Sequence, residues 1–315
     1  MVHEFALEPA TLATWEQFRY LTEKFGVDNG RLIAQFPKPW KRLVYDAFSG
    51  AGDMEKKRIE ERLQQESFSR KLTRSNRTYD SAQAWLPNAE RQQEGSDPFR
   101  AIIATTNPNN CPSVRIASEL DETDRLWSVS REAKIARTAH ALTAVAVPLV
   151  RCSRELLIVD PYFDPQVPRF FDVFQSLIRE VCGARNVPRR LELHCSNARS
   201  GTTDHWEGQC SSRLGRLIGA NYRLRVVRWA QRVGGETFHA RYILTERGGL
   251  RYDVGLDAGP PGETTDVTLL DTQLHIARWN DLQEVDANGR TRTPAFDKVD
   301  ELLISNGGAT RIFPT

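Results

Sequence analysis

The chain has 315 residues, of which 40% are hydrophobic, which is enough for one large domain or two smaller ones and excludes wholesale disorder. The formal net charge of +2 excludes neither acidic nor basic partners. No stretch reaches the roughly 20 apolar residues of a transmembrane helix, and the N-terminus does not resemble a secretory signal. Five cysteines without a C-x-x-C pair predict free thiols in a reduced, cytoplasmic protein.

Apolar residues at helical spacing dominate the first part of the chain. They predict helices over residues 9–25, 39–48 and 54–72. The last of these ends in SRKLTRSNR, a run with four basic and no acidic residues. Such a run is either a solvated helix end or a contact for nucleic acid.

A polar turn, QQEGSDP at residues 92–98, predicts the boundary between two domains. We expect a helical N-terminal region over residues 1–96, which offers a contact for a partner or for nucleic acid, and an α/β domain over residues 97–315. Two short strands, PFRAIIATTN and RLWSVSRE, are expected to open the second domain, and a helix over residues 133–150 follows them.

Strands and helices alternate from Glu155 onward. Apolar strands are predicted in ELLIVDPYF, RRLELHCS and YRLRVVRW, with helices in FFDVFQSLIREVC and RLGRLIGANY between them. A glycine loop then leads to a further strand in FHARYILTE. Strands joined through helices of this length form crossover connections, which favours a parallel or mixed sheet with helices packed on it. The predicted fold class is therefore α/β.

Charge is distributed unevenly along the chain. Between Arg179 and Arg232 there are eleven arginines and four acidic residues, whereas from Tyr242 to the end twelve acidic residues outnumber seven basic ones. The basic middle either forms a phosphate-facing surface or places its arginines on helices that simply face water.

His239 and Arg241 lie two residues apart at the start of the strand predicted in FHARYILTE. Alternation along a strand places both side chains on one face of the sheet. An imidazole can attack phosphorus as a nucleophile, and a guanidinium can hold phosphate oxygens through two parallel hydrogen bonds. The pair therefore suits phosphoryl chemistry without a metal. Binding of a phosphate or a partner without chemistry, and a merely structural histidine, are the other interpretations.

The pattern H-x-R-x-x-x-x-E, formed by His239, Arg241 and Glu246, resembles the H-x-K-x-x-x-x-D motif of the phospholipase D superfamily. The order of a strand ending in Asp-Pro-Tyr-Phe, two βα units, the histidine strand and a glycine-rich return is also similar, from about Pro98 to the C-terminus. The resemblance implies a phospholipase D-like mixed sheet with flanking helices, preceded by the helical region. It also implies His239 as nucleophile, Arg241 as phosphate ligand and Glu246 as the acid that orients a histidine.

The resemblance leads to a first hypothesis about function. Only one such motif is present, so it implies a homodimer that places two His239 residues face to face. The arginine-rich middle favours a polyanionic substrate over a neutral lipid. We expect a metal-independent phosphodiesterase, a nuclease acting on DNA or RNA without a cofactor, with a helicase or ATPase partner in a bacterial defence system.

A second hypothesis belongs to a different functional class. The histidine motif with its glycine-rich return also resembles the phospholipase D-like C-terminal domain of the microtubule-interacting-and-trafficking (MIT) proteins. That resemblance implies a catalytically inactive module that binds phosphate-bearing ligands or partner proteins in a multi-protein assembly. Phospholipid hydrolysis is a weaker third hypothesis, because no amphipathic membrane-binding helix is evident.

Polar residues follow two of the predicted strands, at the carboxyl ends where α/β proteins place functional groups. Asp160 and Tyr162 follow ELLIV, and Ser196 and Asn197 end RRLELHCS and begin the turn after it, with Ser200 further along. We predict that they bind substrate. The alternative is ordinary turn chemistry, with an Asp that caps the turn before a proline.

Metal binding has little support in the sequence. His194 with Cys195, and His205 with Cys210, lack the spacing of zinc ligands, so no metal site is predicted. Trp206, in a predicted loop, either stacks a nucleic-acid base or fills local core.

Overall fold

A computed structural model describes residues 1–183, 188–199, 201–286 and 288–313. The chain divides into two compact units, Met1–Arg131 and Glu132–Thr315. In the part of the chain that the structure describes, no helix is long and apolar enough to cross a membrane.

The first unit is built on a five-stranded parallel sheet with the strand order β3-β2-β1-β4-β5. Its strands are β1 (His3–Leu7), β2 (Arg31–Gln35), β3 (Leu72–Arg74), β4 (Ile102–Ala104) and β5 (Val114–Ile116). Its helices are α1 (Trp15–Glu23), α2 (Trp40–Ala47), α3 (Asp53–Gln64), α4 (Glu66–Ser69) and α5 (Trp85–Arg91). Each face of the sheet has its own core, because Phe5 and Leu7 pack on one side and Ala6 on the other.

The predicted helical N-terminal region over residues 1–96 is therefore wrong. The helices α1, α2 and α3 lie where the apolar spacing indicates, but three strands were missed: β1 before α1, β2 between α1 and α2, and β3 after α4. The predicted helix over residues 54–72 is divided into α3 and α4, and its last residue belongs to β3. Strands of three to five residues that are buried on both faces show no alternation of apolar and polar positions, which is the signal that identifies a half-buried strand. The boundary also lies after Arg131 rather than at residue 96, because β4 and β5 pair with the first sheet.

The second unit is built on a nine-stranded mixed sheet with the order β14-β13-β9-β8-β7-β10-β11-β12-β6. Its strands are β6 (Glu132–Ala136), β7 (Glu155–Val159), β8 (Arg190–Ser196), β9 (Leu224–Ala230), β10 (Arg241–Thr245), β11 (Gly249–Tyr252), β12 (Thr264–Leu269), β13 (Asp297–Ser305) and β14 (Gly308–Phe313). Its helices are α6 (Ala139–Ala144), α7 (Val147–Arg151), α8 (Pro168–Gly183), α9 (Thr203–Leu214) and α10 (Thr272–Asn280). The α/β class is confirmed.

The centre of this sheet follows the order of strands and helices that the sequence predicts, but the second helix is misplaced: α9 ends at Leu214, so most of the predicted helix RLGRLIGANY forms turns. The strands β7, β8 and β9 are parallel and joined through α8 and α9, while β10 runs antiparallel to β7. Two expectations at its entrance are wrong. The segment RLWSVSRE forms no strand before Glu132, and the predicted helix over residues 133–150 is divided into β6, α6 and α7. Residues 132–136 form a strand because they pair with β12, which comes much later in the chain. The local spacing of apolar residues carries no information about such a long-range pairing.

Two arginines of the arginine-rich middle are neutralised by acids of β13. Arg225 pairs with Glu301, and Arg228, which is 1% exposed, donates from Nε to Asp300 at 2.8 Å. Both arginines lie on β9, and both acids lie on the adjacent strand β13. These charges therefore stabilise the sheet, so neither a free phosphate-facing surface nor arginines on solvated helices describes them.

Candidate functional site

A cavity of about 390 Å³ opens at the carboxyl ends of β7 and β8 in the second unit. This is the edge at which open α/β sheets bind ligands, because the loops that leave the parallel strands diverge there. We call it the Asp160 cavity after its most buried acid. Of the residues singled out in the sequence, it brings together Asp160, Tyr162, Ser196 and Arg241, and it is also lined by Arg137, Arg169, Trp206 and Asp257.

Asp160 directly follows β7 and is 1% exposed. Its Oδ1 accepts a hydrogen bond from the backbone N–H of Tyr162 at 3.0 Å, which is the turn chemistry expected of Asp-Pro. Its Oδ2 is buried and has no hydrogen-bond partner among the described residues. Burial raises the pKa of this carboxyl to about 7, although the Tyr162 N–H and the charge of Arg241 oppose the rise. Asp160 thus holds its turn with one oxygen and leaves the other available.

Arg241 is the first residue of β10 and is half-buried. Its guanidinium lies over the ring of Tyr162, 4.5 Å from the ring centroid. Its Nε is buried without a hydrogen-bond partner, and no carboxylate in the described part of the chain forms an ion pair with it. Arg241 is therefore a cation at the wall of the cavity that forms no ion pair with a described carboxylate, although its charge acts on Asp160.

Asp257 is held at the opposite wall by two other arginines. Its Oδ1 accepts from Arg137 at 2.9 Å, and its Oδ2 lies 3.4 Å from Nε of Arg169. Residue 255 is a glycine that leaves room for the Asp257 carboxylate in this position. A Cβ on Gly255 would lie 2.1 Å from Oδ1 of Asp257. Glu263 pairs with Nη1 of the same Arg137 guanidinium.

The charges of the cavity are balanced except where Asp160 holds a proton. Three guanidinium groups, those of Arg137, Arg169 and Arg241, line it together with the carboxyls of Asp160, Asp164 and Asp257, and a pKa of about 7 keeps Asp160 partly neutral. Two more buried donors, Nε of Arg137 and Nε1 of Trp206, have no hydrogen-bond partner within the residues that the structure describes. Buried N–H donors without partners around a polar cavity suit an oxyanion.

His239 lies outside the Asp160 cavity. It is exposed, its Nδ1 is 3.1 Å from the carbonyl oxygen of Thr237, and it lines a second cavity of about 20 Å³ with Phe238 and Tyr242. Strand pairing begins only at Arg241, so the alternation of side chains does not extend back to His239. The expectation that the imidazole and the Arg241 guanidinium share one pocket is therefore wrong.

Glu246 lies at the other end of β10. Its carboxylate accepts hydrogen bonds from the backbone N–H groups of Arg154 and Glu155, at 2.9 to 3.1 Å. Because β10 runs antiparallel to β7, this is the amino end of β7, whereas Arg241 lies near its carboxyl end. The expected role of Glu246 in orienting a histidine is replaced by a structural one, so His239, Arg241 and Glu246 do not form one site.

Of the remaining predicted residues, some line the Asp160 cavity and others do not. Ser196 ends β8 and lines the Asp160 cavity, whereas Asn197 begins a 3-10 turn and is not among the described residues that line it. Ser200 lies outside the described residues. Trp206 is fully buried in α9 and fills core at the cavity wall, which excludes the base-stacking loop. The described residues include no group of three or more His, Cys, Asp or Glu side chains that could hold a metal ion.

Sequence reasoning missed four charged residues of the cavity: Arg137, Asp164, Arg169 and Asp257. Asp164 follows the Asp-Pro-Tyr-Phe segment after β7, and Asp257 lies at the end of the glycine-rich return. Arg169 begins α8, in the loop region after β7 that the carboxyl-end rule could have included. Arg137 follows the edge strand β6 and reaches the cavity only because β6 pairs with β12, so no local signal identifies it.

Comparisons with known proteins add little to this geometry. No family model and no curated protein matches the chain. Among solved structures it is similar to TrmBL2, an archaeal chromatin protein whose structure shows a novel mode of DNA binding, with 12% sequence identity and a TM-score of 0.25. The match covers 52% of this chain and 54% of that one, so the chain spans about half the length of that protein. A TM-score this low establishes no shared fold.

Proposed function

We propose that the second unit is a phospholipase D-like module that binds a phosphate-bearing ligand in the Asp160 cavity without hydrolysing it. The observation that carries the proposal is the Arg241 guanidinium, which lines the cavity with a buried Nε that has no hydrogen-bond partner among the described residues. A buried donor without a partner costs free energy, and a bound oxyanion would remove that cost through a charge-assisted hydrogen bond. Arg137 and Arg169 also line the cavity, where they pair with Asp257.

The order of the elements supports the relation to phospholipase D. A strand that ends in Asp-Pro-Tyr-Phe is followed by two βα units, by the strand that carries Arg241 and by a glycine-rich return that ends at Asp257. This is the order on which the sequence resemblance rests. It brings Asp160, Arg241 and Asp257 to one cavity.

The position of His239 supports binding rather than hydrolysis. Nucleophilic attack requires the reacting atoms to lie roughly 3 to 3.5 Å apart. The imidazole instead lines the cavity that includes Val159 and Tyr242, which lie on the face of the sheet opposite to Arg241. A homodimer would supply a second imidazole but would not bring the first one to the face of Arg241. Hydrolysis therefore stays a prediction to be tested beside binding.

The ligand can carry its phosphate on DNA or RNA, on a small phosphomonoester or on a lipid headgroup. The arginine-rich middle gives nucleic acid limited support, because Arg225 and Arg228 are already paired with acids of β13. The proposal also includes a nucleic-acid partner, a homodimer and a helicase or ATPase partner, all of which come from the sequence analysis.

Binding is tested with inorganic pyrophosphate, a 5′-phosphorylated oligonucleotide and vesicles that contain phosphatidic acid, each titrated into the full chain by calorimetry or co-sedimentation. Arg241→Gln should weaken binding about ten- to hundredfold, since a hydrogen bond to a charged group contributes about 1.5 to 3 kcal/mol. His239→Gln is the matched control and should bind like the wild type. Equal affinities of Arg241→Gln and wild type for all three probes would refute the proposal.

Hydrolysis is tested on the same preparations. Labelled single- and double-stranded DNA and RNA are incubated with the protein in EDTA, beside His239→Ala. We expect no cleavage. Cleavage that persists under chelation and disappears in His239→Ala would restore the nuclease hypothesis and overturn the non-hydrolytic part of the proposal.

A further inference from the structure

The two oxygens of Asp160 have different environments. Oδ1 is used by the Tyr162 N–H in the turn after β7, while Oδ2 is buried without any described hydrogen-bond partner, in a residue that is 1% exposed and lines the cavity. A buried carboxyl oxygen without a partner costs free energy, and the cost is greatest when the group is ionised. The arrangement therefore calls for a ligand atom or a proton at Oδ2.

The charged and titratable groups around Asp160 come from every element that packs against it. The cations are Arg241 at the start of β10, Arg169 in α8 and Arg137 after β6, and the acids are Asp257 after β11 and Asp164 in the loop after β7. Cys195 of β8 stays a thiol, because burial raises its pKa. Arg137 and Arg169 are engaged with Asp257, so Arg241 is the cation left to attract a ligand.

An ionised Asp160 would oppose the ligand that Arg241 attracts. An oxyanion in the cavity would meet a carboxylate with no donor of its own at Oδ2, and two like charges in a buried site disfavour each other. A neutral carboxylic acid changes the sign of that contact, because its O–H donates a hydrogen bond to the anion. The proton is available at modest cost, since burial already raises the pKa of Asp160 to about 7.

We propose that the Asp160 cavity binds its oxyanion together with one proton, with Asp160 as the neutral acid that donates from Oδ2 to an oxygen of the anion. The inference rests on the proposed function and assigns Asp160 a binding role beside Arg241. No covalent bond changes: one proton moves from solvent to Asp160 as the anion enters. The ligand class is a tetrahedral oxyanion, whether it belongs to a phosphomonoester, a nucleic-acid phosphate or a lipid headgroup.

Proton uptake has a measurable consequence. Since binding needs the protonated form of Asp160, the affinity falls about tenfold for each pH unit above its pKa in the free protein. Phosphate itself titrates near neutral pH and would obscure this dependence. Sulfate stays a dianion across the range, so it is the probe of choice: any pH dependence of its binding comes from the protein.

The experiment titrates sodium sulfate into the full chain at pH 5.5, 6.5, 7.5 and 8.5, at constant ionic strength, in pairs of buffers with different ionisation enthalpies. The wild-type affinity should fall roughly twentyfold between pH 6.5 and 8.5, with uptake of about half a proton per anion near pH 7. Asp160→Asn, which keeps the Oδ1 acceptor of the Tyr162 N–H, should bind with constant affinity and no proton uptake. His239→Gln should keep the wild-type pH dependence, which excludes that imidazole as the proton's site.

The outcomes separate this inference from the proposed function. Sulfate binding that depends on Arg241 but shows no proton uptake, or a pH dependence that survives in Asp160→Asn, would overturn the inference alone. No sulfate binding at any pH, or equal binding by Arg241→Gln, would overturn the proposed function and the inference with it. If Asp160→Asn does not fold, the two-buffer measurement on the wild type decides by itself, because zero proton uptake refutes the inference.

Discussion

Asp160→Asn should change how the stability of the second unit depends on pH, even without a ligand. The folded protein raises the pKa of Asp160 from 3.8 to about 7 through burial. Below about pH 4 the acid is neutral in both the folded and the unfolded chain. Between about pH 4 and 7 only the folded chain keeps the proton, so stability is lost as the pH rises through this window and the loss is complete above the folded pKa.

The size of this effect follows from the shift. A rise from 3.8 to about 7 corresponds to a total loss of about 4 kcal/mol, at 1.36 kcal/mol for each unit of pKa. About 2.5 kcal/mol of that loss falls between pH 5 and pH 8. Asparagine does not titrate, so the stability of Asp160→Asn relative to wild type should increase by about that amount from pH 5 to pH 8. Any cost of the buried amide is the same at both values and cancels.

The assay is hydrogen exchange under increasing urea, measured by mass spectrometry for the peptides that contain β7 and β8. Peptide resolution is needed because the chain has two units, and a single unfolding transition cannot be assumed. Wild type and Asp160→Asn are compared at pH 5 and pH 8 after correction for the intrinsic exchange rate. A stability difference between the two proteins that is the same at both pH values would refute a buried, proton-holding Asp160.

Two further predictions test residues whose roles the structure reassigned. Glu246→Gln should lower the free energy of unfolding by about 1 kcal/mol, because it weakens the hydrogen bonds from the Arg154 and Glu155 N–H groups. The affinity for sulfate should stay unchanged. A loss of sulfate affinity in calorimetry would contradict the structural role. Asp300→Ala should cost about 3 to 5 kcal/mol in urea unfolding, because it removes the carboxylate that neutralises the buried Arg228. A loss below about 1 kcal/mol would show that the pair is solvated.

Local patterns in the sequence were sufficient for the centre of the second unit. The apolar runs before Asp160 and through Ser196 alternate with amphipathic helices, and this alternation by itself indicates parallel strands with polar residues at their carboxyl ends. Of the predicted binding positions, Asp160, Tyr162 and Ser196 consequently line the Asp160 cavity, Asn197 does not, and Ser200 lies outside the described residues.

Tertiary structure alone decided the rest, because strand pairing is long-range while periodicity is local. The first sheet consists of strands too short and too fully buried to show a period, so it emerges only from their pairing. Pairing also places the start of β10 at Arg241, which separates that guanidinium from His239 although only Ala240 lies between them in the chain. The same physics brings Arg137 to Asp257 from far along the sequence, and so completes a cavity that no single segment encodes.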